Sequence, residues 1–140
     1  MPDKVTVAIR VPRSVLCLTS ALEFHEITTQ FPKAVNIAIP IGIAIPRIAY
    51  SPIKVYKLRK PSFSAGIVEH RIDGATVNVY DVEKTLCDCF RFRNRLGMDI
   101  VLEALKLYRE RKPLKISSIM KYARVCKVEK NIRPYLEAII

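Results

Sequence analysis

The chain has 140 residues, half of them hydrophobic, and carries 24 lysines and arginines against 13 acids, a formal net charge of +11. That size and apolar content suffice for one domain with its own core, expected over residues 1–140, without metal or disulfide staples. The charge favours an anionic partner. The most apolar window, Val35 to Ala49, is broken by Pro40, Gly42 and Pro46 and falls short of the roughly 20 residues of a spanning helix, which argues against a membrane segment.

Residues 1–10 lack a long apolar run before a small-residue cleavage site, so they do not read as a signal peptide. Cys17, Cys87, Cys89 and Cys126 are therefore expected as reduced thiols in the cytoplasm. Pro12 opens a predicted first helix over Arg13 to Glu26, with Val15, Leu18, Leu22, Ala21 and His25 on its inward face. The period then changes. Val35, Ile37 and Ile39 alternate with Asn36 and Ala38, giving a strand that stops at Pro40. Ile41 to Ile45 reads as an apolar loop, or, if exposed, as a partner-binding patch.

Ile53, Val55 and Lys57 alternate with Lys54, Tyr56 and Leu58, which predicts a second strand with its lysines at an exposed side or edge. Pro61, Ser62, Ser64 and Gly66 predict a turn or one short helical turn. Ile67 to Ile72 and Ala75 to Tyr80 flank Asp73-Gly74, a strong signal for a tight antiparallel hairpin.

Asp81 is placed to cap a helix near Glu83 and Lys84. In that helix Val82, Leu86, Cys89, Phe90 and Leu96 share one face, while Lys84, Asp88, Arg91 and Arg95 form a mostly basic outer face ending at Gly97. A helix from Asp99 to Arg111 follows, with Val101, Leu102, Leu105 and Tyr108 buried and Pro113 as its stop. A shorter helix capped by Ser117 runs to about Val125, and Val128 to Ile140 makes a last one, kinked or split at Pro134. The order predicts an α+β fold: a small, largely antiparallel sheet with a hairpin, packed by an N-terminal helix and about four C-terminal helices.

Chemical signatures are few. Gly42, Gly66, Gly74 and Gly97 form neither a dinucleotide fingerprint nor a phosphate loop, and no serine sits in a nucleophile elbow. Cys87 and Cys89 lie about 200° apart around a helix and cannot grip one ion from one side. Asp73, Asp81, Glu83 and Lys84 approach the carboxylate cluster of a metal-dependent nuclease, but Asp81 and Glu83 fit a first helical turn better. No enzyme activity, cofactor or metal is expected. The basic residues concentrate at Lys54, Lys57, Arg59 and Lys60, again at Arg109, Arg111, Lys112 and Lys115, and on the outer face at Arg91 and Arg95. Lys54, Lys57, Arg59, Arg91 and Arg95 are the candidate residues for binding a partner or nucleic acid.

Two stretches carry a resemblance: Val11-Pro12-Arg13-Ser14-Val15-Leu16-Cys17-Leu18-Thr19-Ser20-Ala21-Leu22, and Tyr80-Asp81-Val82-Glu83-Lys84-Thr85-Leu86-Cys87-Asp88-Cys89-Phe90. With Phe92-Arg93-Asn94-Arg95-Leu96-Gly97-Met98-Asp99, Tyr122-Ala123-Arg124-Val125-Cys126 and Arg133-Pro134-Tyr135-Leu136-Glu137 in order, the chain resembles the AbiEi family, antitoxins of bacterial abortive-infection toxin–antitoxin pairs. The resemblance implies a domain that counteracts a nucleotidyltransferase-like toxin and that, in the family, follows a winged helix-turn-helix repressing the operon. Residues 1–10 are too few for such a head, so the expectation is the antitoxin domain without its DNA reader. The alternative is a basic DNA-binding regulator acting through phosphate contacts.

Overall fold

A computed structural model of the chain describes residues 2–45, 52–111 and 113–139. Met1, the end of the apolar window from Pro46, Lys112 and Ile140 lie outside the described residues. The fold is α+β. A first helix, α1 (Pro2–Arg10), is followed by β1 (Val15–Leu16), α2 (Leu18–Phe24), β2 (Val35–Pro40), β3 (Ile53–Leu58), the short α3 (Lys60–Ser64), β4 (Ile67–Ile72) and β5 (Ala75–Tyr80). Helices α4 (Val82–Arg91), α5 (Arg93–Leu96), α6 (Met98–Arg109), α7 (Ile116–Val125) and α8 (Glu129–Ile139) complete it.

The five strands form one sheet in the order β3-β2-β1-β5-β4. It is mixed rather than largely antiparallel: β1 pairs with β2 and β4 with β5 antiparallel, whereas β1 pairs with β5 and β2 with β3 in parallel. Parallel neighbours depend on long crossovers, which local periodicity does not report. The hairpin forms as expected, with Ile72 opposite Ala75 and left-handed φ values of 52° at Asp73 and 79° at Gly74, the pair of conformations a two-residue type I′ loop requires.

Pleat alternation divides the core between the two sheet faces. On one side α1 covers Leu16, Val35, Ile37, Val77 and Val79 with Val7 at its centre. On the other, Val15, Ala38, Tyr56, Leu58 and Tyr80 meet a larger cluster from α2, α4, α6, α7 and α8. β2 is thus covered on both faces, which is why five of its six residues are buried.

The predicted first helix is corrected. Val15 and Leu16 are extended and lie at the centre of the sheet, Cys17 keeps φ −136° and ψ 174°, and the helix starts only at Leu18. A two-residue strand is too short to show a period, and its pairing partners are remote in sequence. α1, an amphipathic helix of about two and a half turns with Asp3 in its first turn and Arg10 in its last, had no counterpart in the sequence reading. Lys115, not Ser117, occupies the N-cap of α7, without a side-chain hydrogen bond, and α8 runs through Pro134 as one helix.

Candidate functional site

The sharpest correction falls on α4. Lys84 and Asp88, expected on the outer face, are 0% and 1% exposed, and Lys84 Nζ donates to Asp88 Oδ2 at 2.7 Å. The ammonium also stands 3.8 Å from the centroid of the Tyr80 ring, and the Cys126 thiol donates to Asp88 Oδ1 at 3.4 Å. Burial raises the pKa of the Asp88 carboxyl, and the Lys84 charge opposes that rise. The same burial, with the Asp88 charge nearby, pushes the Cys126 thiol up to about 12, so it is a proton donor and not a nucleophile at neutral pH.

This centre is locked from several elements. Asp81 Oδ1 accepts the Lys84 backbone N–H at 2.8 Å as the expected cap, and its Oδ2 accepts the Tyr122 hydroxyl at 2.7 Å. The Tyr80 hydroxyl donates to the Phe63 carbonyl at 2.6 Å, and His25 Nε2–H donates to the Tyr80 carbonyl at 2.7 Å. Both Asp81 oxygens are therefore engaged, the Lys84 ammonium points at Asp88, and Asp73 sits at the far end of β5, about 20 Å along a six-residue strand. The four residues of the nuclease-like cluster do not converge. The signal missed in the sequence was the composition of residues 84–90, where apolar or small side chains lie on both sides of the Lys84–Asp88 spacing, as in a helix buried all round.

Beyond the buried pair the same segment turns outward. α4 ends at Arg91, Phe92 breaks the helix with φ −97° and ψ 23°, and α5 presents Arg95 to solvent. The guanidinium carbons of Arg91 and Arg95 each lie 5.6 Å from the Phe92 centroid. Phe92 packs edge-on against Tyr56 of β3 at 5.3 Å, and Arg95 and Lys54 approach the Tyr56 ring at 5.9 and 5.7 Å. Cations over ring faces are attracted by the quadrupole, at about 0.5–1 kcal/mol each where exposed, enough to order the side chains without removing their charge. Arg93 differs, because its guanidinium covers the Phe90 ring at 4.5 Å and donates to the Phe90 carbonyl at 2.9 Å.

Four of the five candidate residues thus follow one another: Lys54, Arg95 and Arg91 over the two rings, then Arg59, which shares a cleft with Arg91. Lys57 does not join them. It follows Ile53 and Val55 on the β3 face turned toward the α1 side of the sheet. Lys54, Arg59, Arg91 and Arg95 form no ion pair among the described residues. In the second basic concentration Arg111 donates to the His25 carbonyl and the exposed Arg109 donates to the Ile139 carbonyl at 3.2 Å, while Lys112 lies outside the described residues.

Ile41 and Ile45 are each 60% exposed, so these two side chains lie outside the core. Among the described residues no group of three or more His, Cys, Asp or Glu is placed to hold a metal ion, and no helix is long and apolar enough to cross a membrane. No protein-family model matches the chain, and no curated protein matches it.

Proposed function

We propose that this chain is an antitoxin-type binding module of the AbiEi kind, acting in the cytoplasm, whose cationic row opposes a nucleotidyltransferase-like toxin. It works by binding and not by catalysis. The observation that carries the reading is the row itself: Lys54, Arg95, Arg91 and Arg59 keep their charge toward solvent while Lys84, on the same helix as Arg91, is paired inside. Ring contacts hold Lys54, Arg91 and Arg95 in place, which lowers the entropy lost when a partner's acidic groups meet them. The resemblance of Val11 to Leu22 and Tyr80 to Phe90 supplies the identity of the opponent.

Co-expression with a nucleotidyltransferase-like protein encoded beside it tests the reading through growth. Rescue of growth is expected, and absence of rescue with folded protein present would overturn it. The net charge of +11 favours a second reading, a DNA-binding regulator that also controls its own operon. That reading requires a log–log slope of affinity against salt of roughly −5 for about six phosphate contacts, and a flat slope contradicts it.

A further inference from the structure

Where the cationic row ends, the residue before α3, the last residue of α4 and the α7–α8 junction enclose a cleft of about 280 Å³. Arg59, Arg91 and Lys127 bring three cations to it from these three elements, and no carboxylate lines it. None of the three forms an ion pair among the described residues. The nearest acid from α4 is Asp88, beneath Cys126 in the floor, and both its oxygens are already engaged by Lys84 and the Cys126 thiol. The floor is thereby neutralised and the rim is not.

Ser62 adds a hydroxyl that is loosely held. It donates to the Val125 carbonyl at 3.5 Å and accepts from Arg91 Nη1 at 3.4 Å, both long, so it can turn to a better acceptor. Lys127 adds a different kind of observation. It has φ +60°, with its N–H on the Arg124 carbonyl at 3.2 Å and the Val128 N–H on the Ala123 carbonyl at 2.9 Å, the helix-ending arrangement in which glycine is usual. Glu26 takes the same conformation after α2 without lining this cleft, so the backbone alone identifies nothing. At Lys127 the residue in this conformation is also a cation at the rim of a carboxylate-free cleft.

We propose that this cleft binds a single terminal phosphate, that of a phosphate monoester. The planar forks of Arg59 and Arg91 donate to its oxygens, Lys127 supplies a point charge, and the Ser62 hydroxyl donates a further hydrogen bond. The volume admits one phosphate with part of its ester group and not a duplex. Two sources share this chemistry, a mononucleotide and the 5′-phosphorylated end of a nucleic-acid strand. The proposal goes beyond the protection reading and is measured on purified protein, so either can fail without the other.

The test is a calorimetric titration of the whole chain with AMP, inorganic phosphate, and one oligonucleotide prepared with a 5′-phosphate and with a 5′-hydroxyl, at low salt. AMP or the 5′-phosphorylated strand should bind, and Arg91→Gln should weaken binding about tenfold, the effect of one lost charge-assisted contact. Lys127→Gly should weaken binding similarly while raising the melting temperature, because glycine takes φ +60° without strain. A purely structural role for Lys127 would raise the melting temperature and leave binding unchanged. Tighter binding of the phosphorylated strand than of AMP assigns the strand end, and the reverse assigns the mononucleotide. No binding of any probe, binding of the 5′-hydroxyl strand as tight as that of both AMP and the 5′-phosphorylated strand, or binding indifferent to both substitutions would overturn the proposal.

Discussion

Lys84 with Asp88 and Arg91 with Arg95 occupy a single stripe by helical periodicity, yet the first two are sealed inside and the second two face outward or half outward. The difference lies in what crosses each part. Along residues 84–90, α4 is packed by α2 on one side and by α6 and α7 on another, so its polar stripe is covered by a third element. Past Arg91 the helix breaks at Phe92, no further helix among the described residues lies across it, and Arg91 and Arg95 lie against the rings of Phe92 and Tyr56. A polar stripe on a helix marks solvent only where no further helix lies across it.

Breaking the buried pair sharpens this contrast most. Asp88→Ala leaves the Lys84 ammonium unpaired at 0% exposure and is expected to destabilise the fold by about 3–5 kcal/mol in denaturant unfolding. Replacing both, Lys84→Met with Asp88→Leu, should recover most of that loss, since a volume-matched apolar pair is often neutral. A double variant as unstable as the sum of the two single ones would show that the charges are not coupled.

The next effect comes from the backbone beneath the pair. A Cβ at Gly66 would stand 2.6 Å from Lys84 Cβ and 2.9 Å from its Cγ, at φ +82°. Gly66→Ala is therefore expected to cost about 1–3 kcal/mol, and Gly74→Ala, with nothing within 4 Å, less.

Acid tests the same region through His25, whose pKa burial lowers below 6.5 despite the hydrogen bond to the Tyr80 carbonyl. A histidine with a lowered folded pKa contributes stability fully above its unfolded value, and loses it as the pH falls through 6.5 toward the folded value. Stability should decline on acidification from pH 7, and His25→Gln, which keeps a donor for Tyr80, should flatten that decline over this window. An unchanged slope would place the proton uptake elsewhere.

What was legible in the sequence was local. Asp73-Gly74 dictates its own loop, Asp81 caps three residues ahead, and β2 and β3 show their period of two. What was not legible depends on distant partners. Val15 and Leu16 are strand because β2 and β5 flank them, and Lys84 is buried because α7 crosses α4. The site shows the same division. Arg59 and Arg91 were visible as basic residues, but their meeting at one cleft, the rings that order Arg95 and Lys54, and the contribution of Lys127 are tertiary. The one local hint at Lys127 was a helix, α7, that stops without a glycine or proline to stop it.

The outward half of the comparison is tested most directly by Arg91→Glu with Arg95→Glu, assayed for thermal stability and for protection of cells expressing the proposed nucleotidyltransferase-like partner. The ring contacts of the two arginines are worth about 0.5–1 kcal/mol each, so the melting temperature should fall only modestly while protection is lost. Full protection by a variant that folds normally would contradict the account, and would remove these arginines from the proposed binding surface.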